Sequence, residues 1–191
     1  RDRFKGGQSN PTYKIITESK NLVLRRKPPG KLLPSAHAVD REYKVITALY
    51  ETDVPVPKTY GLCEDDDVAG TAFFVMDFLD GDLFWDPMIP SMTNTDRTEI
   101  YNNKNKTLAK LHNVDYKKIG LEDYGKPGNY VARQVSRWSK QYRASETDNI
   151  EAMNNLIDWL PKNIPDDDET TIVHGDYRLD NMILKNNEVV G

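Results

Sequence analysis

The sequence predicts an α+β fold, with a small antiparallel β lobe carrying one helix over residues 1–80 and a mainly helical lobe over residues 81–191. Three observations predict it. Runs rich in β-branched and aromatic residues concentrate before residue 80, helical periodicity takes over beyond Gly81, and a tight polar run, His174 to Asn181, lies between two short β-rich stretches near the end.

The elements follow in chain order. Tyr13 to Glu18 and Asn21 to Arg26 are two β-rich runs separated by the polar pair Ser19-Lys20, a hairpin pattern. A basic Pro-Gly loop, Lys27 to Lys31, comes next. Ser35 reads as the N-cap of a helix to about Tyr50, with Val39, Ile46 and Leu49 on one face. Val54-Pro55-Val56-Pro57 ends that helix ahead of a strand at Lys58 to Cys63. Past the acidic loop Glu64 to Asp67, the nearly continuous apolar run Thr71 to Phe78 reads as a buried strand. Helices are expected over about Thr95 to His112, Tyr130 to Tyr142 and Ile150 to Leu160, and short strands at Thr170 to Val173 and Met182 to Leu184.

Composition narrows the function. Lys+Arg 26 against Asp+Glu 30 leaves a net charge of −4, the wrong sign for binding nucleic acid or an anionic membrane. The single cysteine, Cys63, excludes an internal disulfide framework, and no apolar run reaches the ~18 residues of a membrane span. A cytoplasmic protein is the expectation.

Chemistry concentrates in His174-Gly175-Asp176-Tyr177-Arg178-Leu179-Asp180-Asn181. An Asp and an Asn five apart on a loop between short strands is the spacing by which phosphoryl-transfer enzymes place a base and a Mg²⁺ ligand. A hydroxyl nucleophile needs an acceptor for its proton, and Mg²⁺ takes hard oxygen ligands such as an Asn carbonyl. A second signal is Glu42, which shares the helical face of Val39, Ile46 and Leu49. A carboxylate on a core-facing seam is costly unless a cation meets it, and the preceding strand offers Arg25 or Arg26. A third is the stretch Phe4 to Tyr13, in which Gly6, Gly7, Ser9 and Asn10 would let backbone N–H groups approach phosphate oxygens.

In this order, glycine loop, strand cation, helix Glu, apolar strand and Asp-x-x-x-x-Asn, the sequence resembles the aminoglycoside phosphotransferase and choline kinase-like superfamily. There a His-Gly-Asp-x-x-x-x-Asn loop replaces the His-Arg-Asp of protein kinases. Gly6 to Tyr13, Lys27 to Tyr43 and Arg133 to Trp138 are more specifically similar to the phosphotransferase-like domain also found fused to acyl-CoA dehydrogenases.

The resemblance implies a protein kinase-like two-lobed fold and an ATP- and Mg²⁺-dependent transfer to a hydroxyl group of a small molecule. It makes Asp176 the catalytic base, Asn181 a metal ligand and Arg178 a residue facing the γ-phosphate. Asp77 to Leu79 becomes the hinge whose backbone meets adenine, with Met76 behind the ring and Ile183 beneath it. His174 reads as a structural residue of the loop. Arg25, or else Arg26, stands where the family carries a strand lysine. That substitution admits a second reading, a pseudokinase that binds nucleotide without transfer. A dinuclear phosphoesterase, by contrast, needs more histidines than the three present. The acceptor is expected to be a hydroxyacyl-CoA or an aminoglycoside-like molecule. The basic loop Lys27 to Lys31 is suited to CoA phosphates. The acidic runs Glu64 to Asp67 and Asp166 to Glu169 could face a cationic substrate, though such runs are more often solvated loops. The chain opens without Met and stops at Val189-Val190-Gly191, ahead of a second metal-binding Asp that the resemblance implies. It therefore reads as a fragment, with an incomplete helical lobe, inactive alone.

Overall fold

The computed structural model describes residues 2–3, 10–30, 38–166 and 169–191. Contacts divide the chain into two units, Arg1–Leu121 with Ile172–Gly191, and Glu122–Thr171.

The first unit is built on a five-stranded antiparallel sheet. Its strands are β1 (Asp2–Arg3), β2 (Thr12–Ile16), β3 (Asn21–Arg26), β4 (Thr59–Cys63) and β5 (Phe73–Asp77), in the order β1-β2-β3-β5-β4. The β2–β3 hairpin forms where the alternation placed it, with Tyr13 opposite Leu24 and Thr12 opposite Arg25. Arg25 also sits opposite Phe74 of β5, and Val23 opposite Met76, so these four side chains share one face. Helix α1 (Val39–Leu49) covers that face. Val39 and Phe74 are fully buried, and the Tyr43 ring lies 6.0 Å from that of Phe74 at a tilted angle.

Two local expectations change. The first helical bond of α1 runs from Glu42 N–H to Ala38 O, so the cap is Ala38, and Ser35 lies outside the described residues. Within the acidic run, Asp65 Oδ1 accepts the Asp67 N–H at 2.9 Å and nucleates a single helical turn, α2 (Asp66–Ala69), in place of a loop.

Beyond the sheet, α3 (Asn94–His112) starts at a full capping box, in which Thr93 and Asp96 satisfy each other's backbone donors. Hydrogen bonds from Thr93 and then Asn187 hold the Asp96 carboxyl below its ordinary pKa. Strands β6 (Leu184–Lys185) and β7 (Glu188–Val189) form a hairpin whose two turn residues, Asn186 and Asn187, both have positive φ, the type I′ geometry. The turn docks on α3: Asn187 Nδ2 donates to Asp96 at 3.1 Å and Glu99 at 3.0 Å, and Asn103 donates to Asn187 O at 3.0 Å. Ile89, Ile100, Leu179, Met182 and Leu184 form one buried cluster, against which Val189 of β7 packs, and Leu49, Val54 and Leu111 form a separate one. Ile172 packs on the second cluster, but Thr170 to Val173 lies in no ladder among the described residues. A β-branched run does not become a strand unless a neighbouring strand lies in register, which propensity alone cannot supply.

Gly81 brings the connector after β5 against the start of β6. Asp82 and Leu184 exchange both backbone hydrogen bonds, at 2.7 and 2.9 Å. A Cβ at position 81 would lie 2.4 Å from Leu184 O and 2.7 Å from Ile183 Cγ2. Gly81→Ala is therefore expected to cost about 1–3 kcal/mol through overpacking. Thermal unfolding checks this, and an unchanged melting temperature would show that the contact yields freely.

In the second unit, α4 (Tyr130–Ser145) and α5 (Glu151–Trp159) are joined by Arg143, which pairs with Glu146 at 3.2 Å and donates to Asn154 Oδ1.

Candidate functional site

The run His174 to Asn181 folds into a self-braced loop in the first unit. Gly175 has φ +80°, a conformation a side chain would strain, and this explains glycine between His174 and Asp176. His174 Nδ1 accepts the Asp176 N–H at 3.3 Å, and its ring meets Tyr177 edge-on at 5.6 Å, so the histidine holds backbone as expected. Tyr177 in turn donates its hydroxyl to Lys104 O of α3 at 2.7 Å, and partial burial pushes its pKa up. The buried side chain of Leu179 anchors the following 3₁₀ turn, Leu179–Asn181.

On this frame the carboxylate of Asp176 is held at both oxygens. Arg178 Nε pairs with Oδ1 at 2.9 Å, and Asn181 Nδ2 donates to Oδ2 at 2.8 Å and to Asp176 O at 3.0 Å. With its nitrogen committed to Asp176, the Asn181 amide keeps its carbonyl oxygen for another ligand. Arg178 also pairs with Asp180 at 3.0 Å, so the guanidinium bridges two carboxylates of the loop. Asp176 and Arg178 are well exposed, with side-chain accessibilities of 60% and 63%. Among the described residues no group of three or more His, Cys, Asp or Glu side chains is placed to hold a metal unaided. The donor set suits an ion that takes one protein oxygen and completes its shell from a ligand's phosphates and water.

The second cluster lies on the sheet face under α1. Glu42 meets Arg25, Nε to Oε2 at 2.5 Å and Nη2 to Oε1 at 3.3 Å. Arg26 points to the opposite face and donates to Thr71 Oγ1 at 3.0 Å, so strand alternation selects Arg25 as the partner. Asn10 joins them: its Nδ2 donates to Glu42 Oε1 at 2.8 Å. Nothing in the hydrophobic periodicity marked this side-chain role. Gly6, Gly7 and Ser9 lie outside the described residues, as does Lys31 of the basic loop.

At the end of β5, Asp77 N–H donates to Lys58 O at 2.9 Å and Phe78 N–H to Asn21 O at 3.4 Å, whereas Leu79 lies past the last ladder pair. The Asp77 carboxylate accepts the Tyr60 hydroxyl at 2.7 Å and faces Lys20 at 3.7 Å. The Tyr60 contact first, and then Asp77, raises the Lys20 pKa. Met76 is half-buried opposite Val23 and Thr59. Ile183 packs by Gly81 and exchanges backbone bonds with the last two residues, donating to Gly191 O at 2.7 Å and accepting from Val190 N–H at 2.9 Å. A concavity of about 780 Å³ lies in the second unit. It runs along α4, lined by Arg133, Arg137 and Lys140 among others.

The phosphotransferase enzyme family (APH) profile matches residues 2–191. In sequence the chain is similar to acyl-CoA dehydrogenase family member 10 of Mus musculus, 48% identical over 182 residues, covering 95% of this chain and 17% of that protein. It is also 45% identical over 183 residues to the Homo sapiens acyl-CoA dehydrogenase family member 11, covering 95% of this chain and 24% of that one. Among solved structures, a candidate aminoglycoside phosphotransferase from Ralstonia eutropha JMP134 is 50% identical with a TM-score of 0.86, covering 99% of this chain and 56% of that one. A thermostable mutant of aminoglycoside phosphotransferase APH(4)-Ia, solved with AMP-PNP and hygromycin B, shares the fold at 12% identity and a TM-score of 0.69, covering 99% of this chain and 63% of that one. The chain thus spans under a quarter of the curated relatives and just over half of the Ralstonia chain.

Proposed function

The chain belongs to the phosphotransferase enzyme family, and on that premise we propose that it carries the nucleotide site and catalytic loop of an ATP-dependent small-molecule kinase acting on a hydroxyl group. The observation that carries this reading is the Asp176–Asn181 pair. One hydrogen bond holds the Asp176 carboxylate by the Asn181 amide nitrogen, which supports a proton acceptor beside an amide oxygen able to serve as a metal ligand, the pairing phosphoryl transfer needs.

Asp176 takes the hydroxyl proton of the acceptor. The acceptor oxygen bonds to the γ-phosphorus, the bond from phosphorus to the bridging oxygen breaks, and ADP leaves. Arg178, exposed and bridging Asp176 to Asp180, is the cation that can turn toward the transferring group. Asn181 Oδ1 is the proposed Mg²⁺ ligand. When bound, Mg²⁺ neutralises charge on the phosphate oxygens. Arg25, oriented by Glu42, meets the α- and β-phosphates. The Leu79 amide is the proposed donor to the adenine edge, because the N–H groups of Asp77 and Phe78 are engaged by Lys58 and Asn21. Met76 and Ile183 bracket the ring. Residues 1–80 are the nucleotide lobe in this reading, and 81–191 part of the catalytic lobe.

For the acceptor, similarity to acyl-CoA dehydrogenase family members favours a hydroxylated acyl-CoA over an aminoglycoside. The test is full-length protein with Mg·ATP and hydroxyacyl-CoA thioesters, read by mass spectrometry of the acceptor. Gain of one phosphoryl group on the acyl hydroxyl is the expected result. Transfer to aminoglycosides alone would reassign the acceptor. Tight nucleotide binding with no transfer to either would favour the pseudokinase reading that Arg25 admits.

A further inference from the structure

Four groups close a ring around the Arg25–Glu42 pair. Asn10 Nδ2 donates to Glu42 Oε1 at 2.8 Å, and Arg25 donates to both oxygens of the same carboxylate. Arg25 Nη1 donates to Thr12 Oγ1 at 3.1 Å, and that hydroxyl donates back to Asn10 O at 3.0 Å. The ring therefore links the entry to β2, the end of β3 and the first turns of α1 through side chains rather than through the sheet ladder. Asn10 is 5% exposed and is the only buried polar residue among the described residues.

Burial of an amide is costly unless its donors are used, so Asn10 holds its position firmly. The consequence falls on Arg25. An Arg–carboxylate pair can close in more than one fork arrangement, using different N–H groups. Here Asn10 occupies Oε1 from the β2 side, so Arg25 approaches with Nε on Oε2 and Nη2 at longer range on Oε1. Thr12 takes a third donor. Among the described residues three of the five guanidinium N–H groups find partners, which leaves one on each Nη for a ligand.

We propose that Asn10 is a positioning residue: through its bond to Glu42 it fixes how Arg25 presents its two remaining donors to the nucleotide phosphates. This rests on the nucleotide site proposed above. Asn10 then acts through its side chain on Glu42, not only as part of a glycine-containing stretch whose backbone approaches phosphate.

The test is a double-mutant cycle on the full-length protein with Asn10→Ala, Arg25→Ala and the double variant, probed with Mg·AMP-PNP by calorimetry. Asn10→Ala is expected to weaken binding about tenfold, and to add less than about twofold once Arg25 is already absent. In steady state, KM for ATP rises about tenfold while kcat stays within about threefold, a split that general loosening of the fold would not produce. Asn10→Asp keeps the size and sets a second carboxylate against Glu42. It is expected to weaken binding at least as much, and it serves if the alanine variant does not fold. Independent, multiplicative losses in the cycle, or wild-type affinity in Asn10→Asp, would overturn the proposal while leaving the nucleotide site standing. Absence of AMP-PNP binding by the wild-type protein would overturn both.

Discussion

Asp176→Asn is expected to lower kcat by about a thousandfold while changing nucleotide affinity by less than about twofold. The residue faces solvent, and its oxygens are held by Arg178 and Asn181, not by buried groups. The substitution therefore removes the proton acceptor without opening a cavity. An asparagine oxygen can still accept from Asn181, so the loop keeps its brace. Rapid-quench measurement of phosphoryl transfer, alongside calorimetric titration with AMP-PNP, separates the two effects. Retention of more than about a tenth of the rate would place the base elsewhere. Equal loss of binding and turnover would mean that the loop had collapsed.

Phe74→Ala is expected to destabilise the fold by about 3–5 kcal/mol, a large share of the ~5–15 kcal/mol that holds a domain together. Phe74 is fully buried on the inner strand β5, under Tyr43 of α1 and directly opposite Arg25. Its loss leaves a void beside the polar ring as well as in the core. The midpoint of thermal unfolding should drop by roughly 10 °C. Phe74→Leu, which fills most of the space, should lose far less. A small change in both would mean that α1 collapses onto the sheet and that the face is loosely packed.

What could be read in the residues, and what could not, divides by the range of the interaction. The β2–β3 hairpin, α1 and α3 follow from patterns within a dozen residues, and they form within a few positions of expectation. The α+β class and the family follow as well, because the Asp-x-x-x-x-Asn spacing is itself local. The choice between Arg25 and Arg26 was open because a sequence does not say which face of a strand is covered. The register of β3 against β5 decides it. Thr170 to Val173 misled for the converse reason, since β-branching is a property of the residues and a ladder a property of the neighbours. Asn10 stands in the glycine-containing stretch, where the sequence points only to its backbone, and its side-chain reach to Glu42, thirty-two positions away, has no local signature. The helical turn at Asp66 and the Asn186-Asn187 turn did carry local signals, an Asp cap and a paired-Asn dipeptide.

The reciprocal backbone pair between Asp82 and Leu184 carries a mechanical consequence. On one side of the connector Asp77 is pinned in the sheet, and on the other Asp82 is pinned to the strand that leads out of the catalytic loop. With the Phe78 N–H also bonded to Asn21 O, the backbone between these two clamps is three residues long, Leu79 to Gly81. Any swing of the sheet is then transmitted as a pull on Leu184, three positions from Asn181, with little slack to absorb it. An added residue in this stretch would act like play in a short linkage: both ends would keep their shape, and the motion of one would no longer register at the other.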